Sequence, residues 1–410
     1  MEDNMFTPSD WVASDTMIKV LGVGGGGCNA VSYMFRQGIQ GCSFVVCNTD
    51  SQALHCSPVP VKIQMGAGLG AGTNPIKGRN AALESQEEIE HKVLDEHTKM
   101  LFITAGMGGG TGTGATPVIA KMAKDKGILT VAVVTLPFKN EGKKAITRAI
   151  DGIQELEKNV DSLLIINNEK LYEYFGSQLI HDAFPKADEV LSTAVRGIIE
   201  IIKKPGYINV DFEDVKTLMK DSGMALMGYG TGSGKNRIED AVNEAFKSPL
   251  LNDFDLKTAQ NVLVNITGGK NDKGLTMDDM SEINRRIDEF TGSANNFKRG
   301  LIWEEDPEIG DTIHITSIVT GLRFTDVVGP DKDMGDYIMI NRDFVYDKGE
   351  ASRGEGISLF DNGNSRIGYS TKDNMRSFRF DPDHKPALLV ARGEGLAELE
   401  SIPAIRRNKK

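Results

Sequence analysis

The stretch Gly106-Met107-Gly108-Gly109-Gly110-Thr111-Gly112-Thr113-Gly114 places six glycines in nine residues. It follows the apolar run Met100-Leu101-Phe102-Ile103-Thr104 and precedes Ala115-Thr116-Pro117-Val118-Ile119-Ala120. That is the order of a buried strand, a glycine loop and a helix with Pro117 in its first turn. A backbone without Cβ atoms curls tightly, and its N–H groups can converge on an anion at the positive end of the following helix. Thr111 and Thr113 are expected to add hydroxyl donors. A turn that merely joins strand to helix accounts for one or two glycines, not for six. The chemistry these residues suit is phosphate binding.

Two further glycine segments share this order. Residues 18–21 read as a strand, 22–27 as a loop and 28–35 as a helix; residues 66–75 again lie between a strand-like run at 59–64 and a helix-like one. Taken alone, the first fits G-x-G-x-x-G, and with Asp50 beyond the strand at 43–47 it would suit a nicotinamide dehydrogenase whose Asp50 holds a ribose hydroxyl. The richer loop further on weighs against that, as does the lack of an evident catalytic pair. The six histidines, His55, His91, His97, His181, His314 and His384, form no acid–base or metal pattern. No P-loop is present. Its nearest imitation, Gly230-Thr231-Gly232-Ser233-Gly234-Lys235-Asn236, has Tyr229 at the first glycine position and Asn236 where a magnesium-binding hydroxyl belongs, so it reads as a surface turn. Three glycine loops in the first third of the chain imply one nucleotide clasped from several sides. A triphosphate is the ligand with enough charge to need them.

The remaining constellation is acidic. Asn209-Val210-Asp211-Phe212-Glu213-Asp214-Val215-Lys216 reads as a helix start, with Asp211 as N-cap and Asp214 three residues on, in the manner of a capping box.

In order and spacing, G-G-G-G-x-N-A at residues 24–30, G-A-G-x-N-P at 70–75 and G-G-G-T-G-T-G at 108–114 resemble the tubulin superfamily, and within it the FtsZ family of bacterial cell-division GTPases. The resemblance runs from about residue 17 to about 324 and recurs in the C-terminal peptide. It implies a GTP/GDP pocket. Gly24, Gly25, Gly26, Gly27 and Cys28 would lie along the α- and β-phosphates, and Asn29 would reach the guanine. Ala71, Gly72 and Thr73 would approach the γ-phosphate, with Gly108, Gly109, Gly110, Thr111, Gly112 and Thr113 cradling the phosphate chain. Pro137 and Glu141 would form the ribose segment, Ala145 would hold a further nucleotide-contacting position, and Phe184 and Asp188 would form the base-reading helix start. A carboxylate at Asp188 suits guanine, which offers N1–H and an exocyclic amine where adenine has no such donor pair. The resemblance also implies that Asn209, Asp211 and Asp214 enter a neighbouring molecule's pocket and orient the attacking water, with Mg²⁺ held mainly by the nucleotide phosphates. It further implies a head-to-tail homopolymer, membrane-tethering and regulatory division proteins bound through Ile402, Pro403, Ile405, Arg406 and Arg407, and a place at the division site near the inner face of the membrane. Relatives that move plasmids or shape cells are the alternative within the superfamily. Two departures stand out. Residues 64–70 are shorter than in the family, and Ala145 replaces a common nucleotide-contacting Arg, with Arg148 almost a turn further on.

The positioning elements follow from periodicity. Strand-like runs at 17–21, 43–47, 59–64, 100–104, 129–135 and 163–167 alternate with helical or loop segments, as in a buried parallel sheet. Residues 182–204 read as a long helix with Val190, Leu191, Ala194, Val195, Ile198, Ile199 and Ile202 as a core stripe. Strands at 225–227, 262–266 and 313–319 suit a smaller domain. The expected fold is α/β and tubulin/FtsZ-like: a leader at 1–15, a GTP-binding domain at 16–181, a connecting helix at 182–204, an α+β domain at 205–326, a disordered linker at 327–398 and an adaptor-binding peptide at 399–410. The chain of 410 residues carries a net charge of −11, which argues against nucleic acid as the main partner. No long apolar span points to membrane insertion, and Cys28, Cys42, Cys47 and Cys56, without metal-ligand spacing, read as reduced thiols in the cytoplasm.

Overall fold

The computed structural model describes residues 16–168, 180–203, 206–208, 210–247, 256–292, 294–322, 337–339 and 345–347. Asn209 lies outside these residues, as do the expected leader and the peptide with Ile402, Pro403, Ile405, Arg406 and Arg407.

The first half alternates strand and helix. β1 (Ile18–Val23) leads to α1 (Gly24–Arg36), β2 (Ser43–Asn48) to α2 (Ser51–Cys56), and β3 (Val61–Gln64) to α3 (Pro75–Glu84) and α4 (Gln86–Val93). β4 (Met100–Gly106) leads to α5 (Thr111–Asp125), β5 (Leu129–Leu136) to α6 (Lys143–Glu157), and β6 (Ser162–Asn167) precedes the long α7 (Ile180–Lys203). After α8 (Phe212–Met219) come β7 (Gly223–Gly232), α9 (Arg237–Phe246), β8 (Asn261–Gly269), α10 (Met277–Thr291), β9 (Asn296–Glu304) and β10 (Ile313–Thr320). β11 (Tyr337–Met339) and β12 (Val345–Asp347), inside the segment expected to be linker, pair as a separate two-stranded sheet.

Ten strands form one sheet in the order β3-β2-β1-β4-β5-β6-β7-β10-β8-β9. The pairs from β3 to β6 are parallel. β1 and β4 are buried along almost their whole length, because helices cover both faces of a parallel sheet. The two halves meet where β6 pairs with β7 at Ser162↔Gly223 and Leu163↔Met224. β10 then runs antiparallel to β7 and β8, and β9 parallel to β8. β9 was not among the expected strands.

The expected stripe on α7 is core. Leu191, Ala194, Val195, Ile198 and Ile199 are buried with Val20, Phe102 and Val131 of the sheet. A second core joins Leu226, Val264 and Ile315 to Val242 and Ile283. The segment expected to be a surface turn at 230–236 needs correction, because Gly230 and Gly232 lie in β7 and the turn begins only at Ser233. The reason is close packing by α9. A Cβ on Gly232 would lie 1.9 Å from the Arg237 carbonyl oxygen, and one on Gly230 would lie 2.1 Å from that of Ala241.

Candidate functional site

All three glycine segments emerge at the carboxyl edge of the parallel strands, but the helices begin earlier than the sequence suggests. α1 starts at Gly24 rather than Cys28, and α5 starts at Thr111 rather than Ala115, which puts Pro117 inside the helix and not in its first turn. Glycine disfavours helix interiors; here packing overrides that preference. A Cβ on Gly27 would lie 2.1 Å from the Thr104 carbonyl oxygen, one on Gly112 2.4 Å from that of Gly106, and one on Gly114 1.9 Å from that of Pro75. These glycines let helix backbones rest directly on the backbones of β4 and of the start of α3.

The loops interlock. A Cβ on Gly24 (φ 72°) would sit 2.9 Å from the Gly112 nitrogen, and one on Gly110 would sit 2.4 Å from the Gly72 oxygen and 3.0 Å from the Ala71 Cβ. Gly108, at φ 100°, faces the Ala145 carbonyl and the Pro137 ring. Its N–H donates to Thr113 Oγ1 at 2.8 Å, and its carbonyl accepts from Arg148 Nε at 2.7 Å. Arg148 thus braces the glycine loop at Gly108. Thr111 Oγ1 bonds Thr49 Oγ1 at 2.7 Å in a buried pair. Thr111 thus shares its hydroxyl with Thr49, and Thr113 accepts from Gly108 while keeping its own O–H as a donor.

What remains open is backbone. A Cβ on Gly25, Gly72 or Gly109 would meet nothing within 4 Å, and Gly25, Gly26, Asn29, Gly72, Thr73 and Gly109 are exposed. Gly25 and Gly26 lie in the first turn of the 13-residue α1, and Gly109 lies just ahead of the 15-residue α5, where helix N-termini favour anions, which makes this the candidate anion cradle. The third loop is pinned, since Gly70 N donates to the Thr49 carbonyl at 2.8 Å and Ser51 N to that of Gly68 at 3.0 Å. Leu69 at its tip is 92% exposed. Asp50, the ribose acid of the dehydrogenase alternative, instead caps α2 by accepting from Gln52 N and Ala53 N.

Other expected contacts divide. Cys28 turns inward, with Sγ 3.5 Å from the Cys47 carbonyl, and burial pushes its thiol up to about 12. Cys28, Cys42, Cys47 and Cys56 are free. Glu141 is exposed and accepts from Phe138 N at 2.9 Å, which closes its own turn. Asp188 is half-buried on α7, and burial raises its carboxyl to about 6. Phe184 lies on the same helix, with its side chain outside the described residues.

The acidic constellation folds as its spacing requires. Asp211 caps α8, accepting from Asp214 N at 2.7 Å, while Asp214 Oδ2 accepts from Asp211 N at 3.4 Å. Sequence reasoning missed a third member. Lys298 of β9 meets Asp214 Oδ1 at 2.7 Å and, ahead of the backbone bond from Asp211, holds that carboxyl below the usual range. The apolar run Leu301-Ile302-Trp303 was the available signal for β9.

These acids lie far from the cradle. α7 spans 24 residues, about 36 Å of helix, and its C-terminal end leads to the acidic segment. α8 then ends at the amino edge of the sheet, where the Met219 carbonyl accepts from Ser162 Oγ at the start of β6. Among the described residues, the polar partners of Asp211 and Asp214 are each other and Lys298.

Residues 17–176 match the GTPase domain of the Tubulin/FtsZ family, and residues 223–323 match the FtsZ family C-terminal domain. The chain belongs to the FtsZ family. It is 48% identical over 323 residues to a cell division protein FtsZ of Pseudomonas aeruginosa, covering 78% of this chain and 80% of that one. Against a cell division protein FtsZ of Porphyromonas gingivalis it is 47% identical over 310 residues, covering 74% and 67%. An FtsZ dimer structure from M. jannaschii superposes with a TM-score of 0.68 at 36% identity, covering 85% of this chain and 99% of that one. A CetZ2 protofilament from Haloferax volcanii shares the fold, with a TM-score of 0.63 at 20% identity over 76% and 95% of the two chains. FtsZ membership makes the chain a GTPase of cell division with a guanine-nucleotide site. Among the described residues, no helix is long and apolar enough to cross a membrane.

Proposed function

We propose that this GTPase assembles head to tail and hydrolyses GTP at each junction, with one subunit's cradle covered by the next subunit's Asp211 and Asp214. The observation that carries this reading is the separation of the parts. Acids held rigid by a capping box at the far end of α7 have no route to their own cradle. A non-closing contact between unlike faces gives a filament.

In the cradle, the exposed backbone of Gly25, Gly26, Gly72, Thr73 and Gly109 would bind the phosphates, and Asp188 and Asn29 the guanine. Pro137 and Glu141 would flank the ribose, and Ala145 would hold a further nucleotide-contacting position. A magnesium ion accompanying GTP would ride on the phosphate oxygens, because the cradle offers amides and no carboxylates, and would neutralise charge there. At the junction the carboxylates orient a water in line with the γ-phosphorus. As its oxygen bonds to phosphorus, the bond to the bridging oxygen breaks, GDP departs and the water's proton is lost to a carboxylate or solvent. Phosphoryl transfer asks mainly for such positioning and charge stabilisation. The filament would serve the division ring at the inner face of the membrane, with adaptors bound through the C-terminal peptide.

The test mixes two defective proteins. Asp214→Ala retains its cradle and should sediment with GTP, yet hydrolyse it about 10²–10⁴-fold more slowly, the range for a positioned base. Gly109→Asp retains its acids but sets a carboxylate in the open phosphate space. Co-sedimented, the pair should regain phosphate release at junctions that join sound acids to sound cradles. Co-assembly with phosphate release no greater than the sum of the two alone would overturn the shared site.

A further inference from the structure

The segment leading to the acids docks on β9 like an added strand. Tyr207 N donates to the Leu301 carbonyl at 2.7 Å, Leu301 N donates to that of Ile208 at 3.0 Å, and Ile208 and Leu301 form an antiparallel bridge. In an antiparallel pair each step forward on one chain is a step back on the other. Lys298 lies three residues before Leu301 on the same strand, and its ammonium group reaches Asp214.

The two contacts on Asp214 differ in quality. The backbone bond from Asp211 N is long at 3.4 Å, whereas the ion pair with Lys298 is 2.7 Å. Short charge-assisted bonds hold a carboxylate more firmly than long neutral ones. Other charges around Asp214 do not replace Lys298. Asp211 and Glu213 are of like sign, Lys216 pairs with Glu213 at 3.3 Å, and Arg299 turns to Asn284. β8, against which α8 packs, carries no charged residue. Lys298 is 52% exposed and Asp214 28%. An ion pair so placed adds little to folding, so any contribution it makes is to orientation and local charge.

We propose that Lys298 is a positioning residue for GTP hydrolysis: it aims the Asp214 carboxylate and offsets the repulsion between two acids and the triphosphate they approach. This rests on the reading that Asp211 and Asp214 serve the neighbouring subunit. The lysine acts through Asp214 and takes no part in guanine or phosphate binding within its own subunit.

The experiment compares Lys298→Met, Lys298→Arg and Asp214→Ala in phosphate release per unit of sedimented protein, at saturating GTP and across the acid range. Lys298→Met should keep GTP affinity and sedimentation but lose about 10- to 100-fold in kcat, the scale of a displaced catalytic group. Its activity should also fail at a higher pH than the parent's, because without the ammonium Asp214 takes up a proton more readily. Lys298→Arg should restore most of the rate and the parental acid limb. If Lys298→Met turns over normally with an unmoved acid limb while Asp214→Ala is inactive, the lysine is an ordinary surface partner and the inference falls alone. If Lys298→Met binds GTP but no longer sediments, Lys298 serves subunit contact and the positioning role is wrong. If Asp214→Ala also turns over normally, the shared-site reading fails and this inference fails with it.

Discussion

If Asp188 reads guanine as proposed, its half-buried carboxyl, raised to about 6, should make guanine recognition pH-dependent. Guanine's two N–H donors favour the ionised acid, so a proton on Asp188 competes with GTP. Affinity should therefore fall as pH drops through about 6, approaching tenfold per unit below it. The raised carboxyl favours folding at low pH and loses that advantage as pH rises through the same value; bound guanine compensates where the group is charged. GTP should accordingly raise Tm more at neutral than at acid pH. Because the triphosphate also titrates, the readout is the difference from Asp188→Asn, whose nucleotide affinity should depend less on pH. Equal pH dependence in both proteins would remove Asp188 from the base pocket. Residue roles were legible where a local rule fixes geometry. The spacing of Asp211 and Asp214 gives the capping box directly. The partners of the Thr111 and Thr113 hydroxyls, Thr49 and Gly108, were not legible because their approach is a matter of tertiary packing. Lys298 escaped notice for the same reason: its partner is distant in sequence.

At the level of elements, the glycines divide into two kinds that composition cannot separate. Gly109 faces open space, so Gly109→Ala should cost folding no more than about 0.5 kcal/mol. It puts a methyl group where phosphate is expected, and losing one charge-assisted bond should weaken GTP binding about ten- to a hundred-fold. Gly114→Ala would drive a Cβ to 1.9 Å from the Pro75 oxygen, and its cost should be about 3 kcal/mol or more. Thermal melts with and without GTP distinguish the two. A Gly114→Ala protein with a parental Tm would contradict the packing, as would a Gly109→Ala protein that unfolds. Helix starts at Gly24 and Thr111 were misread as loop because propensity was the only guide to them. The stripe on α7, by contrast, was legible from its period alone. β9 was overlooked because its first four residues, Asn296-Phe297-Lys298-Arg299, carry only one apolar side chain.

For the whole molecule, the parallel first half was readable from alternating strand and helix patterns. The continuous ten-stranded sheet was not, because it depends on two residue pairs between β6 and β7 that join distant parts of the chain. Residues 402–410 lie outside the described residues. Their deletion should leave GTP turnover and sedimentation within about twofold of the parent, as for a module on a flexible linker. In cells the truncated protein should fail to gather at the division site. Normal rings from it would exclude the peptide as the tether. The glycine packing also bears on inheritance. Every single-nucleotide missense change in a glycine codon introduces a side chain with a Cβ. At Gly27, Gly78, Gly110, Gly112, Gly114, Gly230 and Gly232 that atom would lie within 2.4 Å of a backbone carbonyl oxygen. These codons have no neutral one-step amino-acid replacement, so the gene can drift there only through silent changes.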